Sequence, residues 1–433
     1  MSKKIKVAIV GCGHRSEVYA SYSLKEPEKM SIVAVVDPND IRLNRIGDKF
    51  HVSRENRFHS VEEFLEKKII ADAVINGTMD RIHHETAIPL LKAGYHMLLE
   101  KPIALSKKEL LDIYHTAKDN HCKVMICHVL RYTPFYRTIK QMIMDGTLGE
   151  VFQIITEENV SFHHMATAFV RGKWNSSLTC GSEIMMAKCC HDLDVISWLK
   201  SGVAPKYVSS MGGLYLYKKE KAPVGSGMKC LVDCKIESTC QYSARKMYLD
   251  SNVWNFYARE YLDRFEDRDT MERLEWSLRE NNPMGRCVWQ CDNNVMDHQS
   301  VMIKYEDGSV ATHILSTGTA RPSRTIHVIG TKAEIYGDMT EGAIYLRKHD
   351  LTVKDKGENL YEEIKIDCNA GGGHGGGDER LSEDFCHFIE GTSTSISSTE
   401  IGDSIYGHMI GFDADVAMKE NRVVLIDLEM EKV

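Results

Sequence analysis

No run of about 18 consecutive apolar residues occurs in the chain, so a membrane-spanning helix is not expected. Basic blocks are missing as well. Lys and Arg number 54 against 62 Asp and Glu, a net charge of −8. A nucleic-acid groove needs concentrated Lys and Arg on one surface; the short stretch KKIK at the start instead flanks a first strand. No Gly-Lys-Ser/Thr follows the glycine-rich stretches, which excludes a P-loop, and no internal repeat marks a solenoid or propeller. The first apolar run is short, ends in glycines and lacks a cleavage site, so it reads as a buried strand and not as a secretory signal. Cysteine is the exception to this scarcity. Thirteen of them in a chain read as leaderless are expected to be reduced thiols of a cytoplasmic protein.

The chain has 433 residues, 43% hydrophobic and 27% charged, enough for two domains each with a sizeable core. IKVAIVGCGHRS reads as strand, glycine turn and helix start. Gly11 and Gly13 match the first two glycines of G-x-G-x-x-G, and Ser16 stands at the third position. Such a turn lets backbone approach a pyrophosphate, whose charge the following helix N-terminus, with His14 and Arg15, stabilises. The next apolar run ends in Asp37, about 20 residues on, where a carboxylate accepts hydrogen bonds from adenosine ribose hydroxyls and repels a ribose phosphate. NAD is therefore expected over NADP. Strand–helix alternation continues to residue 127, which predicts a parallel sheet with helices on both faces and ligands at the carboxyl ends of its strands. Thr78, Glu100, Lys101 and His128 fall at such ends.

The segments GCGHRS, VVDP, GTMDRIHHETAIPLLKAGYHMLLEKPIALS, HVLRYTPFY and HDLDVISWL, in this order, resemble the Gfo/Idh/MocA oxidoreductase family over roughly the first half of the chain. The resemblance implies a Rossmann dinucleotide-binding domain, residues 1–127, and a C-terminal α/β domain on an open mixed sheet, residues 128–433. It implies NAD(P)-linked oxidation or reduction of carbinols in sugars, cyclitols or their derivatives, and in some members redox-neutral glycoside cleavage. By the same resemblance Lys101 is the catalytic or substrate-orienting lysine, His191 the general acid/base and His83 the cofactor-side histidine. Arg131 and Tyr132 open the second domain. One departure is notable. Relatives often carry D-x-x-x-H, whereas Ala187 stands four residues before His191, followed by Lys188.

MMAKCCHDLDVI has helical length, and a continuous helix is expected from about Ser182 to Leu199. Lys188, His191 and Asp192 then share a face that could meet substrate. Adjacent residues on a helix point about 100° apart, so Cys189, Cys190 and His191 cannot converge on one ion; the cysteines read as small core residues. A base with a pKa near neutrality suits removal of a hydroxyl proton as hydride leaves, and histidine has one.

In the second half, HHMATAFVRGKWNSSLTCGS is read as a polar, aromatic loop whose Arg171 and Trp174 could line a sugar pocket. Residues 218–291 look like an insertion. Its Cys230, Cys234 and Cys240, with Cys287 and Cys291, could surround a structural zinc; the rival reading is loose buried cysteines. His374, within a glycine-rich loop, is a further substrate candidate. RVVLIDLEM is expected as a closing strand. Three functions follow in order: NAD-dependent oxidoreductase on a sugar, cyclitol or glycoside; redox-neutral glycosidase or lyase; non-catalytic NAD-binding regulator. A homo-oligomer is expected from the open sheet face.

Overall fold

Short Val-, Ile- and Leu-rich runs form the first six strands of the computed structural model, which describes residues 4–251, 254–262, 270–350, 361–367, 373–392 and 395–427. These are β1 (Ile5–Val10), β2 (Met30–Val36), β3 (Arg57–Phe58), β4 (Ala73–Asn76), β5 (His96–Leu99) and β6 (Val124–Ile126). All pair in parallel, in the order β3-β2-β1-β4-β5-β6. That is the doubly wound dinucleotide-binding order. Helices cover both faces, so the central strands are buried almost throughout, as a parallel sheet requires. Side-chain caps set several helix starts: Asn39 for Asp40–Lys49, Ser60 for Val61–Glu66 and Ser106 for Lys107–Asp119 each accept a backbone N–H.

The second sheet has nine strands. They are β7 (Val151–Ser161), β8 (Pro205–Gly213), β9 (His298–Tyr305), β10 (Val310–Thr319), β11 (Ser323–Gly330), β12 (Ala333–Asp338), β13 (Ala343–Lys348), β14 (Glu362–Lys365) and β15 (Val424–Leu425). Their order is β14-β13-β12-β11-β7-β10-β9-β8-β15. Only β7 and β10 run parallel; the other neighbours are antiparallel. One face packs on helices Cys190–Leu199 and Ile401–Glu420. The other is open, and residues alternate in burial along β9 accordingly. The hairpin expected at EDGS joins β9 to β10, with Gly308 at φ +88°. The insertion lies between β8 and β9.

Four features depart from the sequence reading. The closing strand is only two residues long within the described residues. Helix Ile401–Glu420 was not anticipated. It is buried on most of its circumference between the second sheet and helices Cys190–Leu199 and Lys107–Asp119, so it leaves no periodic stripe to read. Helix Gly377–Glu390 packs by Leu381, Phe385 and Phe388 into the core of the first sheet, so the chain returns to its N-terminal layer. The HHMATAF segment is not a loop: it forms a helical turn, Phe162–His164, continued by a wide helical turn, Met165–Arg171.

Candidate active site

The glycine turn after β1 is held by steric necessity. Gly11 has φ +84°, and a Cβ there would meet the Gly77 carbonyl at 2.7 Å. Ser16 packs against Gly77 so closely that a Cβ on Gly77 would lie 2.1 Å from the serine Oγ, which is the tight helix–strand contact its position demands. Gly13 precedes helix His14–Ala20 with open space beside it. Asp37 accepts from Cys12 N–H at 2.9 Å and from Asn39 N–H at 2.8 Å, and pairs with Arg42 at 3.1 Å. A backbone cradle and a buried carboxylate at the end of β2 fit a dinucleotide's pyrophosphate and ribose.

Other residues assigned to the cofactor are engaged within the protein. Arg15 binds Glu100 at 3.1 Å and Asp378 at 2.6 Å, clamping the glycine-turn helix to helix Gly377–Glu390. Glu100 also accepts from Tyr19 Oη at 2.8 Å and Lys101 N–H at 2.8 Å. Burial alone would raise the Glu100 carboxyl, but Arg15, Lys101 and these hydrogen bonds outweigh it and hold it low. His83 is buried between the carbonyls of Pro102 (2.7 Å) and Thr78 (3.1 Å), so it ties the loop after β4 to the Lys101–Pro102 loop. Thr78 Oγ donates to Asn76 at 2.9 Å. His14 is exposed and lies beside Phe256 of the insertion.

The expected continuous helix is broken. Ile184–Ala187 and Cys190–Leu199 are separate segments, with Lys188 and Cys189 at the break. There the Ala187 carbonyl accepts from the Lys101 ammonium at 2.7 Å. Among the described residues this is the only hydrogen bond of that ammonium, and it stands at the position where the related pattern has an aspartate. His191 lies in the first turn of the second segment. Its ring lies 5.7 Å, edge to face, from that of His128, which lies 5.4 Å from His408. His128 is fully buried; burial first, then Arg131 and Lys101, push its pKa far down. His408 accepts from Ile103 N–H at 2.9 Å and donates from Nδ1 to Ser404 O at 3.2 Å, which assigns one neutral tautomer.

Beside Lys101 runs a buried charge network. Lys188 pairs with Glu158 at 3.0 Å, and Arg324 bridges Glu158 (2.5 Å) and Asp192 (2.9 Å). His164 is held neutral by burial and then by Lys188 and Arg324, and it stacks on Trp254 at 4.5 Å. Glu158, Arg324 and Trp254 were not picked from the sequence. They come from β7, β11 and the insertion, and nothing near them in the chain forms a motif. Cys189, Asp192 and His313 also bring ligand atoms within 4.8 Å of one another. The Asp192 carboxylate is already paired with Arg324, and burial, then Asp192, raises the Cys189 thiol far above its ordinary value. Both Cys189 and Cys190 are fully buried core residues.

Three residues read as substrate-facing are redirected by burial. Arg131 makes a paired bond to Asp194 at 2.7 and 2.6 Å, Tyr132 donates to Asp384 at 2.7 Å, and Arg171 faces the insertion; each is only 1% exposed. Trp174 is partly buried against Phe169. The His374 side chain lies outside the described residues.

Fold and turn thus define a Rossmann dinucleotide-binding domain joined to a mixed-sheet domain. Residues 5–128 match the Gfo/Idh/MocA model, an oxidoreductase family with an NAD-binding Rossmann fold. The YteT protein of Bacillus subtilis, named as an oxidoreductase, is 24% identical over 392 residues, 87% of this chain and 88% of its own. The 2,7-anhydro-N-acetylneuraminate hydratase of Mediterraneibacter gnavus is 27% identical over 218 residues, 50% of this chain and 55% of its own. Levoglucosan dehydrogenase, solved with NADH and L-sorbose, superimposes with a TM-score of 0.69 at 15% identity, covering 98% of this chain and 99% of its own. That likeness extends the fold to both domains. Among the described residues no helix is long and apolar enough to cross a membrane.

Proposed function

We propose that this protein is an NAD-dependent oxidoreductase that moves hydride between nicotinamide and a carbinol carbon of a sugar, cyclitol or glycoside. The observation that carries this reading is the Lys101 ammonium, held on the Ala187 carbonyl at the break before the helix of His191. The neighbouring Lys188, Glu158, Arg324 and Asp192 balance one another. Among the described residues the Lys101 ammonium makes no ion pair with a carboxylate, and Glu100 is engaged by Arg15, so its charge can stabilise an alkoxide developing on the substrate. When bound, the nicotinamide supplies the hydride acceptor. His191 takes the hydroxyl proton and returns it in the reverse direction. Asp37 selects the ribose hydroxyls of NAD over the phosphate of NADP. Lys188 and Asp192 border the substrate side. Residues 128–433 act as the substrate domain, and copies associate through the open sheet face.

A second reading, redox-neutral elimination or hydration, is favoured by Ala187: the lysine meets a carbonyl in place of a carboxylate. The hydratase relative points the same way. A panel of sugars, polyols and glycosides assayed for NADH formation and for released aglycone separates the two. NADH formed in step with product supports the oxidoreductase; product formed with catalytic NAD supports the second reading. Turnover of nothing by a protein that binds NAD would overturn both.

A further inference from the structure

The insertion gathers cysteines that are scattered along the chain. Residues 228–230 pair with 285–287 in a short antiparallel bridge: Cys230 N–H donates to Gly285 O and Cys287 N–H to Met228 O, each at 2.9 Å. This sets Cys230 opposite Gly285 and Cys287 opposite Met228, so the two cysteines lie diagonally across the bridge. Cys234 and Cys240 close around them, and the four line one small cavity with Arg171, Tyr242 and Trp289. Cys291, the fifth cysteine of the region, does not line it; its thiol donates to the Cys287 carbonyl at 3.3 Å.

Two further observations concern charge. Arg171 is fully buried, yet no carboxylate among the described residues pairs with it. Its donors go to the carbonyls of Arg286 and Tyr242, both at 2.7 Å, to Tyr248 Oη at 3.4 Å and to Cys230 Sγ at 3.3 Å. Glu237 also borders the cavity, but its carboxylate takes the Ser243 hydroxyl. A buried cation without an anion is costly, so the sulfurs are the natural source of countercharge. Backbone N–H groups also point at sulfur: Tyr242 N–H donates to Cys240 Sγ at 3.3 Å, and Trp289 N–H to Cys287.

We propose that Cys230, Cys234, Cys240 and Cys287 ligate a structural metal centre of the four-thiolate class. A zinc ion with four thiolates carries a net charge of about −2, and an iron–sulfur cluster held by four cysteines is likewise anionic; either compensates Arg171. The sulfur spacing bears on which one. Tetrahedral zinc at about 2.3 Å from each sulfur holds them within about 4 Å of one another. The only trio of ligand atoms within 4.8 Å among the described residues is Cys189, Asp192 and His313, so the four sulfurs stand wider than zinc requires. They would close in on zinc, and metal analysis distinguishes zinc from a cluster. The centre does no redox work in the reaction proposed above. It pins residues 226–243 to 285–291, and through Arg171 it anchors the turn that leads from His164.

The full-length protein, purified both aerobically and anaerobically, is assayed for zinc, iron and acid-labile sulfide. About one zinc per chain supports the proposal as mononuclear zinc, and iron with matching labile sulfide supports it as a cluster. Cys240→Ser should lose the metal while Cys291→Ser keeps it. Where Cys240→Ser fails to fold, chelator treatment of the wild-type chain replaces it and should release metal while exposing four thiols to a thiol reagent. Absence of both metals in both preparations, or equal metal retention by the two variants, would overturn the proposal. Dehydrogenase activity is not part of the readout, so the result stands apart from that reading.

Discussion

Replacing Lys101 with Met removes a cation while keeping much of the side chain's length. The expected result is a fall in kcat of about 10²–10⁴, the range for a positioned proton-transfer or charge-stabilising group, with NAD binding retained by fluorescence titration. Near-normal turnover would refute the assigned role. Asp37→Ala removes the proposed acceptor for ribose hydroxyls and frees Arg42, which now pairs with it. The KM for NAD should rise at least about tenfold, and the preference over NADP should narrow, because Arg42 can then meet a phosphate. An unchanged NAD/NADP ratio of kcat/KM would place cofactor choice elsewhere. The Gly11–Gly13 turn and Asp37 are candidates that local spacing alone suggests, whereas Lys101 and His191 entered through the family resemblance. Glu158 and Arg324 were legible by neither route: an ion pair across a sheet has no trace in either strand's own sequence.

At the scale of elements, the break at Lys188–Cys189 decides what the helix around His191 can do. Sequence spacing makes it a continuous helix; tertiary packing opens it, and the Ala187 carbonyl turns to Lys101. Helix Ile401–Glu420 backs this site through His408, whose pKa is pushed down to about 3 by burial first and His128 second. Unfolded, the same group titrates near 6.5. Between those values the unfolded chain binds more protons than the folded one, so stability is lost as pH falls from about 6.5 toward 3. The slope from this group approaches about 1.4 kcal/mol per pH unit. His408→Gln keeps an amide donor and a carbonyl acceptor but does not titrate, so urea midpoints measured from about pH 7 to pH 5 should fall less steeply than in the wild-type chain. Parallel curves would exclude His408 as a source of the acid sensitivity.

For the molecule as a whole, the open face of the second sheet sets a further expectation. Tyr207, Met211 and Met302 project from neighbouring strands β8 and β9, with Met211 81% and Met302 55% exposed. An apolar sheet face of this kind is a surface for association. Light scattering should report a homo-oligomer, and Met211→Lys with Met302→Lys should shift it toward monomer; a monomeric wild-type chain would remove that expectation. The alternation of apolar runs and helical periods was enough to determine the parallel sheet with helices on both faces, because each βαβ unit is built from local contacts and one handed connection; the strand order came from the structure. The second domain depended on tertiary structure. Its helix Ile401–Glu420 is buried on most of its circumference, its charge network joins strands far apart in sequence, and helix Gly377–Glu390 crosses back to the first core. The cysteines of the insertion show the same division: their number was plain in the chain, but only the pairing of residues 228–230 with 285–287 selects four of the five and leaves Cys291 aside, because a shared cavity is a property of folded backbone and not of spacing.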